Sequence, residues 1–186
     1  MSSVIERLIV EHTRLTRVVR LLDTQSNLLT ASTSPNIGLL VDALCYLTRF
    51  PDVTHHLLED RIVDRLLAKK ALNVEFGQEI EAQHAVLIRD GHDLLRDLEA
   101  ATRGENMSQE LVDSRIRIYA ERLRHNMAIE ELTLFPAALK GLDEEDWKAI
   151  DSVGLRREFD PLFDGEADSE FAGLYHVIME EAVPGR

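Results

Sequence analysis

The sequence predicts an all-α fold, an up-down four-helix bundle carrying a short C-terminal helical appendage. Three observations lead there. Apolar residues recur at helical intervals through most of the 186 residues, no segment alternates in the manner of a half-buried strand, and the long amphipathic stretches are joined by short polar connections. The first helix opens at Ser3, where Ser3-x-x-Glu6 reads as a capping box, and runs past Leu22 on an apolar stripe of Ile5, Leu8, Leu15, Val19 and Leu22. TASTSPN is a connection. The second helical region carries Leu40, Val41 and Leu44, is interrupted at Pro51 and resumes through LEDRIVDRLL. The third begins near Asn73 and carries Phe76, Ile80, Leu87, Leu94 and Leu98. After the loop TRGENMS, Ser108 caps a fourth helix built on Val112, Ile116, Tyr119 and Leu123, which continues toward Pro136 and Gly141. Asp143 caps a short fifth helix around Trp147, FDPLFDGE is irregular, and a last helix runs roughly from Asp168 to Ala182. Residues 1–140 are thus expected to form the bundle. Residues 141–186 are too few for a core of their own and are expected to pack on it.

Composition narrows the function classes. Against 34 acidic residues stand 21 Lys and Arg, a net charge of −13. Such a surface repels phosphates and anionic lipid, so neither nucleic acid nor a membrane surface is the expected partner. The single Cys45 offers no disulfide framework. The start MSSVIERLIVEH lacks a basic region followed by an apolar run, and no apolar stretch reaches membrane-spanning length, so a cytoplasmic location is expected.

The chemistry rests with seven histidines. On helical wheels His12 falls within the Ile5–Leu15 stripe and His84 within the Ile80–Leu87 stripe. His55 and Glu59 are one turn apart on the face of Ile62 and Leu66. Glu130 lies on the side of Val112, Tyr119 and Leu123. A lone histidine on an apolar stripe is more often a hydrogen-bonded core residue. Four helices each aiming nitrogen or oxygen ligands into a bundle interior is, however, how such folds build dinuclear metal sites. A buried carboxylate beside a buried imidazole otherwise loses its hydration uncompensated. His125 precedes Glu130 by five residues, about 140° away on a regular helix, and a π-bulge would bring the two together. Asn126 fits the regular wheel better but is a poor ligand for a transition ion, so His125 is taken as the ligand. His56 and Asp60 are expected to form a solvated pair at the helix edge, His92 to be exposed, and His176 with Glu180 to be a surface i, i+4 pair.

HHLLEDRIVDRL (55–66) resembles the HHxxED signature of hemerythrin-like, HHE cation-binding proteins, and HNMAIEELTLFPAA (125–138) resembles their second signature. EH at 11–12 and QH at 83–84 resemble the single histidines of the first and third helices. DW at 146–147 and DPLF at 160–163 are similar to the tail of bacterial single-domain members. The resemblance implies a bundle holding two non-haem iron ions. Its ligands would be His12, His55, Glu59, His84, His125 and Glu130, the two carboxylates would bridge, and oxygen, peroxide or nitric oxide would be the small ligand in sensing, detoxification or iron handling. Ile80 stands where oxygen-carrying hemerythrins have a further histidine, which argues against simple oxygen carriage. The spacing of five between His125 and Glu130 matches those carriers, whereas many HHE relatives use four.

The donor set suits iron, manganese or zinc, and no cysteine cluster is present for a thiolate site. A ferritin-like arrangement needs Glu-x-x-His on two helices, and only Glu81-x-x-His84 has that spacing. Two other readings use the same residues: a structural or interaction bundle without a functional metal, and a zinc- or manganese-binding variant.

Overall fold

The computed structural model describes residues 3–29, 36–105, 108–152, 160–164 and 169–181. It is helical, with no strand among the described residues. The helices are α1 (Ser3–Leu29), α2 (Ile37–Arg49), α3 (His56–Ala68), α4 (Val74–Thr102), α5 (Gln109–Ile129), α6 (Phe135–Gly141), α7 (Glu144–Ser152) and α8 (Ala172–Glu181). Two π-helical turns join them into longer rods, Pro51–His55 between α2 and α3 and Glu130–Leu134 between α5 and α6. The four rods of the bundle are therefore α1, α2–α3, α4 and α5–α6. Short connections after α3 and α4 return the chain antiparallel.

Local chemistry sets most of the ends. The Asn36 side chain accepts from Leu39 N–H, Asn73 from the amides of Glu75 and Phe76, and Ser108 from that of Leu111. Lys70 takes a positive φ of 55° just beyond α3. There its amide bonds Leu67 O and that of Ala71 bonds Leu66 O, the paired C-terminal closure of a Schellman motif. Pro51 does not break the second rod. It opens the π turn, and the His56 amide closes that turn on Pro51 O. Ser3 is itself helical rather than the residue ahead of the helix. The expected connection at 30–36 lies outside the described residues except for Asn36, as do both expected ends of the last helix, Asp168 and Ala182.

α1 packs on α5, α2 and α3 on α4, and α4 on α5. Gly91 permits the close approach of α2, α4 and α5: a Cβ there would lie 2.9 Å from the Tyr119 hydroxyl and 3.0 Å from Thr48 Cγ2. The appended segments are tied by ions. Arg65 of α3 reaches Asp146 of α7 at 2.7 Å, and Lys69, at the C-cap of α3, pairs with the same carboxylate. Asp160 accepts from Arg14 of α1 at 3.0 Å and from the Tyr46 hydroxyl at 3.2 Å, while α8 rests on α1 and α2.

Every apolar stripe residue expected on α1, namely Ile5, Leu8, Leu15, Val19 and Leu22, is buried, as are Val112, Ile116, Tyr119 and Leu123 of α5. The buried apolar residues nevertheless form two clusters. One holds Leu15, Leu22, Leu44, Leu87, Ile116 and Leu123; the other holds Ile5, Leu8, Ile62, Ile80, Leu134 and Phe135. Between them in sequence, on every rod, stands a buried polar residue: His12 between Leu8 and Leu15, His84 between Ile80 and Leu87, Glu59 before Ile62, Glu130 before Leu134. A polar layer crosses the bundle and splits its core.

Candidate metal centre

The layer is built from the two π turns and from regular positions on α1 and α4. The π turn at Pro51–His55 places consecutive histidines inside, one on either side of the rod. The His55 ring lies 4.9 Å from that of His12, and the His56 ring stacks on that of His84 at 4.4 Å and 17°. The second π turn begins at Glu130, which is fully buried, and Phe135 just beyond it stacks on His12 at 5.4 Å.

Glu59 and Glu130 lie at the centre, each with no solvent exposure. His12 Nε2 lies 3.4 Å from Glu59 Oε1 and 3.4 Å from Glu130 Oε2. His55 Nε2 lies 3.3 Å from Glu59 Oε1, while His84 Nε2 lies 3.6 Å from Glu59 Oε2 and 3.0 Å from Glu130 Oε1. Most of these separations are longer than a good hydrogen bond. The opposite edge of each of these three rings is held more tightly. His55 Nδ1 bonds Glu11 Oε2 at 2.7 Å, His84 Nδ1 bonds Asp60 Oδ1 at 2.7 Å, and His12 Nδ1 bonds Glu131 Oε1 at 2.8 Å. His56 Nδ1 comes within 3.3 Å of Asp52 Oδ1 without forming a hydrogen bond. A carboxylate behind Nδ1 orients an imidazole and makes Nε2 a better donor, the usual support of a metal-ligating histidine.

The donor atoms fall into two sets. Those of His12, His55 and Glu59 lie within 4.8 Å of one another, and so do those of His56, Glu59 and His84, so Glu59 is common to both. Glu130 faces one histidine of each set, His12 and His84. Among the described residues, the buried side-chain atoms lacking a hydrogen-bond partner are His12 Nε2, both Glu59 oxygens, Glu130 Oε2, His56 Nδ1 and Asp52 Oδ2. All belong to this layer. Each such atom costs about 1–3 kcal/mol when left unsatisfied, so a layer of them is accounted for by a cation between the carboxylates. The residues fit a metal.

The electrostatics agree. Burial opposes protonation of His12, but the Glu130 and Glu59 carboxylates facing Nε2 outweigh it and lift the pKa from the ordinary 6.5 to about 10. Burial likewise opposes protonation of His84, and Asp60 with Glu130 and Glu59 lifts it to about 10. Burial would raise Glu130, yet His12 and His84 pull it down to about 2. Glu11 is lowered in spite of its burial by His55 and Arg7. The layer demands positive charge.

The sequence model of the hemerythrin HHE cation-binding domain matches residues 3–138. The chain belongs to this family. No curated protein and no solved structure matches the chain. The HHE assignment makes it a cation-binding helical protein, and the polar layer lies wholly within the matched residues.

The structure brings together five of the six residues expected as ligands, His12, His55, Glu59, His84 and Glu130. It does not bring in His125, which is exposed and lines a surface cleft with Glu79 and Arg122. A π turn does exist in this rod, but it starts at Glu130 instead of ending there, so residues 125–129 keep regular α register and His125 stays turned away. The regular wheel holds instead: Asn126 is buried and donates from Nδ2 to Glu130 Oε1 at 2.7 Å. His56 and Asp60 also depart from the expected solvated pair. His56 is 3% exposed and joins the second donor set, and Asp60 bonds His84. Glu81 is exposed, which removes the ferritin-like spacing. The expected exposure of His92 and the His176–Glu180 surface pair, at 3.0 Å, are both present. Glu11 and Glu131 were not expected at all. The only sequence signal for them is an acidic residue beside a ligand-like one, at Glu11-His12 and Glu130-Glu131.

Proposed function

We propose that this HHE domain holds two iron ions, for which His12 and His55 would provide one set of imidazoles and His56 and His84 the other, with Glu59 and Glu130 as the carboxylates between them. The observation that carries the reading is Glu59, a fully buried carboxylate shared by two donor sets, with neither oxygen hydrogen-bonded. Iron bound there would supply electrons and an open position to a small ligand such as oxygen, peroxide or nitric oxide. Once a cation has displaced the Nε2 protons, the chain's own part would be to hold the remaining ring proton on Nδ1 of His55, His84 and His12, where Glu11, Asp60 and Glu131 accept it. Glu59 and Glu130 neutralise part of the cation charge, and the two apolar clusters on either side keep bulk water from the layer. Sensing, detoxification and iron handling all use such a site, and manganese or zinc fits the same donors.

Protein produced with added iron is expected to carry about two irons per chain, in keeping with dinuclear sites in bundles, and to show the near-ultraviolet absorption of a di-ferric centre. One tightly held zinc with no iron uptake overturns the proposal. The corrected ligand set has its own test. His56→Ala should lower metal content at least as far as the roughly 10–100-fold affinity loss that follows removal of mere supporting groups, whereas His125→Ala should leave the metal content of purified protein unchanged.

A further inference from the structure

The rings and carboxylates close the polar layer on most sides. His12, His55, His56 and His84 are each 1–3% exposed, and three of them are backed by a hydrogen-bonded carboxylate. The fourth rod differs. Where a histidine one turn before Glu130 would close it, this chain has Asn126, a small neutral amide.

Asn126 Nδ2 bonds Glu130 Oε1 at 2.7 Å on its inner side and lies 3.4 Å from Gln83 Oε1 on its outer side. Gln83 is half-buried and lines a cleft of about 320 Å³ between α4 and α5, with Ala82, Val86 and Leu87 as apolar wall and the exposed Glu79, Arg122 and His125 also lining it. Its other contact is Nε2 to Glu79 at 3.3 Å, on the exposed surface. Both Gln83 bonds are at the weak end of the range, so the side chain can leave Asn126 at small cost while Asn126 keeps its short bond to Glu130.

A second cleft, of about 340 Å³, approaches the layer from α1 and is lined by Glu6, Arg7, Glu11, Arg14 and Asp160. It stops at Glu11. That carboxylate is fixed by two short charge-assisted bonds that it accepts, from His55 Nδ1 at 2.7 Å and from Arg7 Nε at 2.7 Å. Behind it stands the Nδ1 edge of His55, not the Nε2 side. The charged lining also favours ions over neutral molecules.

We infer that small uncharged ligands reach the centre from the α4–α5 cleft, past Gln83 as a movable gate and along Asn126 to the side of Glu130. The gate selects by size and polarity: a diatomic gas partitions into the apolar cleft, and a hydrated anion does not. This rests on the iron reading for its destination, but the cleft itself is tested without metal. Crystals of the metal-free protein pressurised with xenon, a neutral probe that enters apolar cavities, should show the gas beside Val86 and Leu87. Ala82→Trp should remove it; Ala82 is exposed, so the variant keeps the core.

In the iron-loaded ferrous protein, stopped-flow association of nitric oxide should slow on the order of tenfold in Ala82→Trp, as closing a gate requires. Gln83→Ala should speed it. Val10→Trp, in contact with the second cleft through an exposed position, should leave the rate unchanged, and metal content should be equal in all of them. An unaltered rate in Ala82→Trp, or a slow one in Val10→Trp, overturns the inference. Protein that takes up no iron defeats the iron proposal, and xenon then decides the cleft alone: no xenon beside Val86 defeats the route.

Discussion

Glu59→Gln is expected to abolish metal retention while leaving the bundle folded. The side chain has no solvent exposure and neither carboxylate oxygen has a hydrogen-bond partner, so glutamine keeps the volume and removes only charge and ligand strength. Because Glu59 belongs to both donor sets, one substitution should empty both positions. With metal at a hundred times its dissociation constant, each occupied position stabilises the native state by about 2.7 kcal/mol, and two positions together raise the melting temperature of a chain of this size by about 10–20 °C. That increment should vanish in Glu59→Gln. The metal-free variant should melt within a few degrees of the metal-free parent, because the lost carboxylate was itself buried at a cost. Calorimetry with and without metal, beside elemental analysis, checks both parts. A variant retaining the parent's metal content would remove Glu59 from the centre.

Where regular helix period governs, the inward-facing residues are legible in the sequence. His12 and His84 lie in uninterrupted α register, flanked by buried leucines and isoleucines, and they are where the wheel puts them. His55, Glu59 and Glu130 were found by the same reasoning. The two misplaced residues, His56 and His125, both stand in regular helix beside a π turn. A π turn adds a residue to the turn and rotates everything beyond it relative to the regular wheel. His56 follows the first π turn in regular register, about 100° round from His55, and so falls at the edge of the wheel; it is buried because α4 packs on that side, where its ring stacks on His84. On the fourth rod a π turn ahead of Glu130 would bring His125 inward, but the turn starts at Glu130, after residues 125–129 have kept regular helix, and no single-sequence period reveals where such a turn starts. The carboxylates behind the rings were illegible for another reason. Glu11, Asp60 and Glu131 act across helices or from half-exposed positions, and on a chain with 34 acidic residues nothing in the pattern distinguishes them.

The metal-free protein is expected to surrender protons when it is loaded, about two per chain near pH 7.5. His12 and His84, each with a pKa of about 10, are protonated at that pH, whereas Glu130, at about 2, is already ionised and has none to give. Each Nε2 must lose its proton to hold a cation, so apparent affinity should rise about a hundredfold per pH unit between roughly pH 7 and 9 and level off above 10. The stability of the metal-free protein should run the other way. Both folded-state values stand above the unfolded 6.5, so the stabilisation is fully present below about pH 6.5 and is lost as pH climbs through 10. Titration calorimetry in buffers of differing ionisation enthalpy counts the protons, and thermal melts from pH 6 to 10 follow the stability. Loading without proton release would mean that both rings are neutral beforehand. The two results together would identify what occupies the space between Glu59 and Glu130 in each state. If both hold, two imidazolium protons would balance the carboxylates in the empty protein and metal would take over that charge in the loaded one, so that the bundle would fold around the same pair of anions in either form.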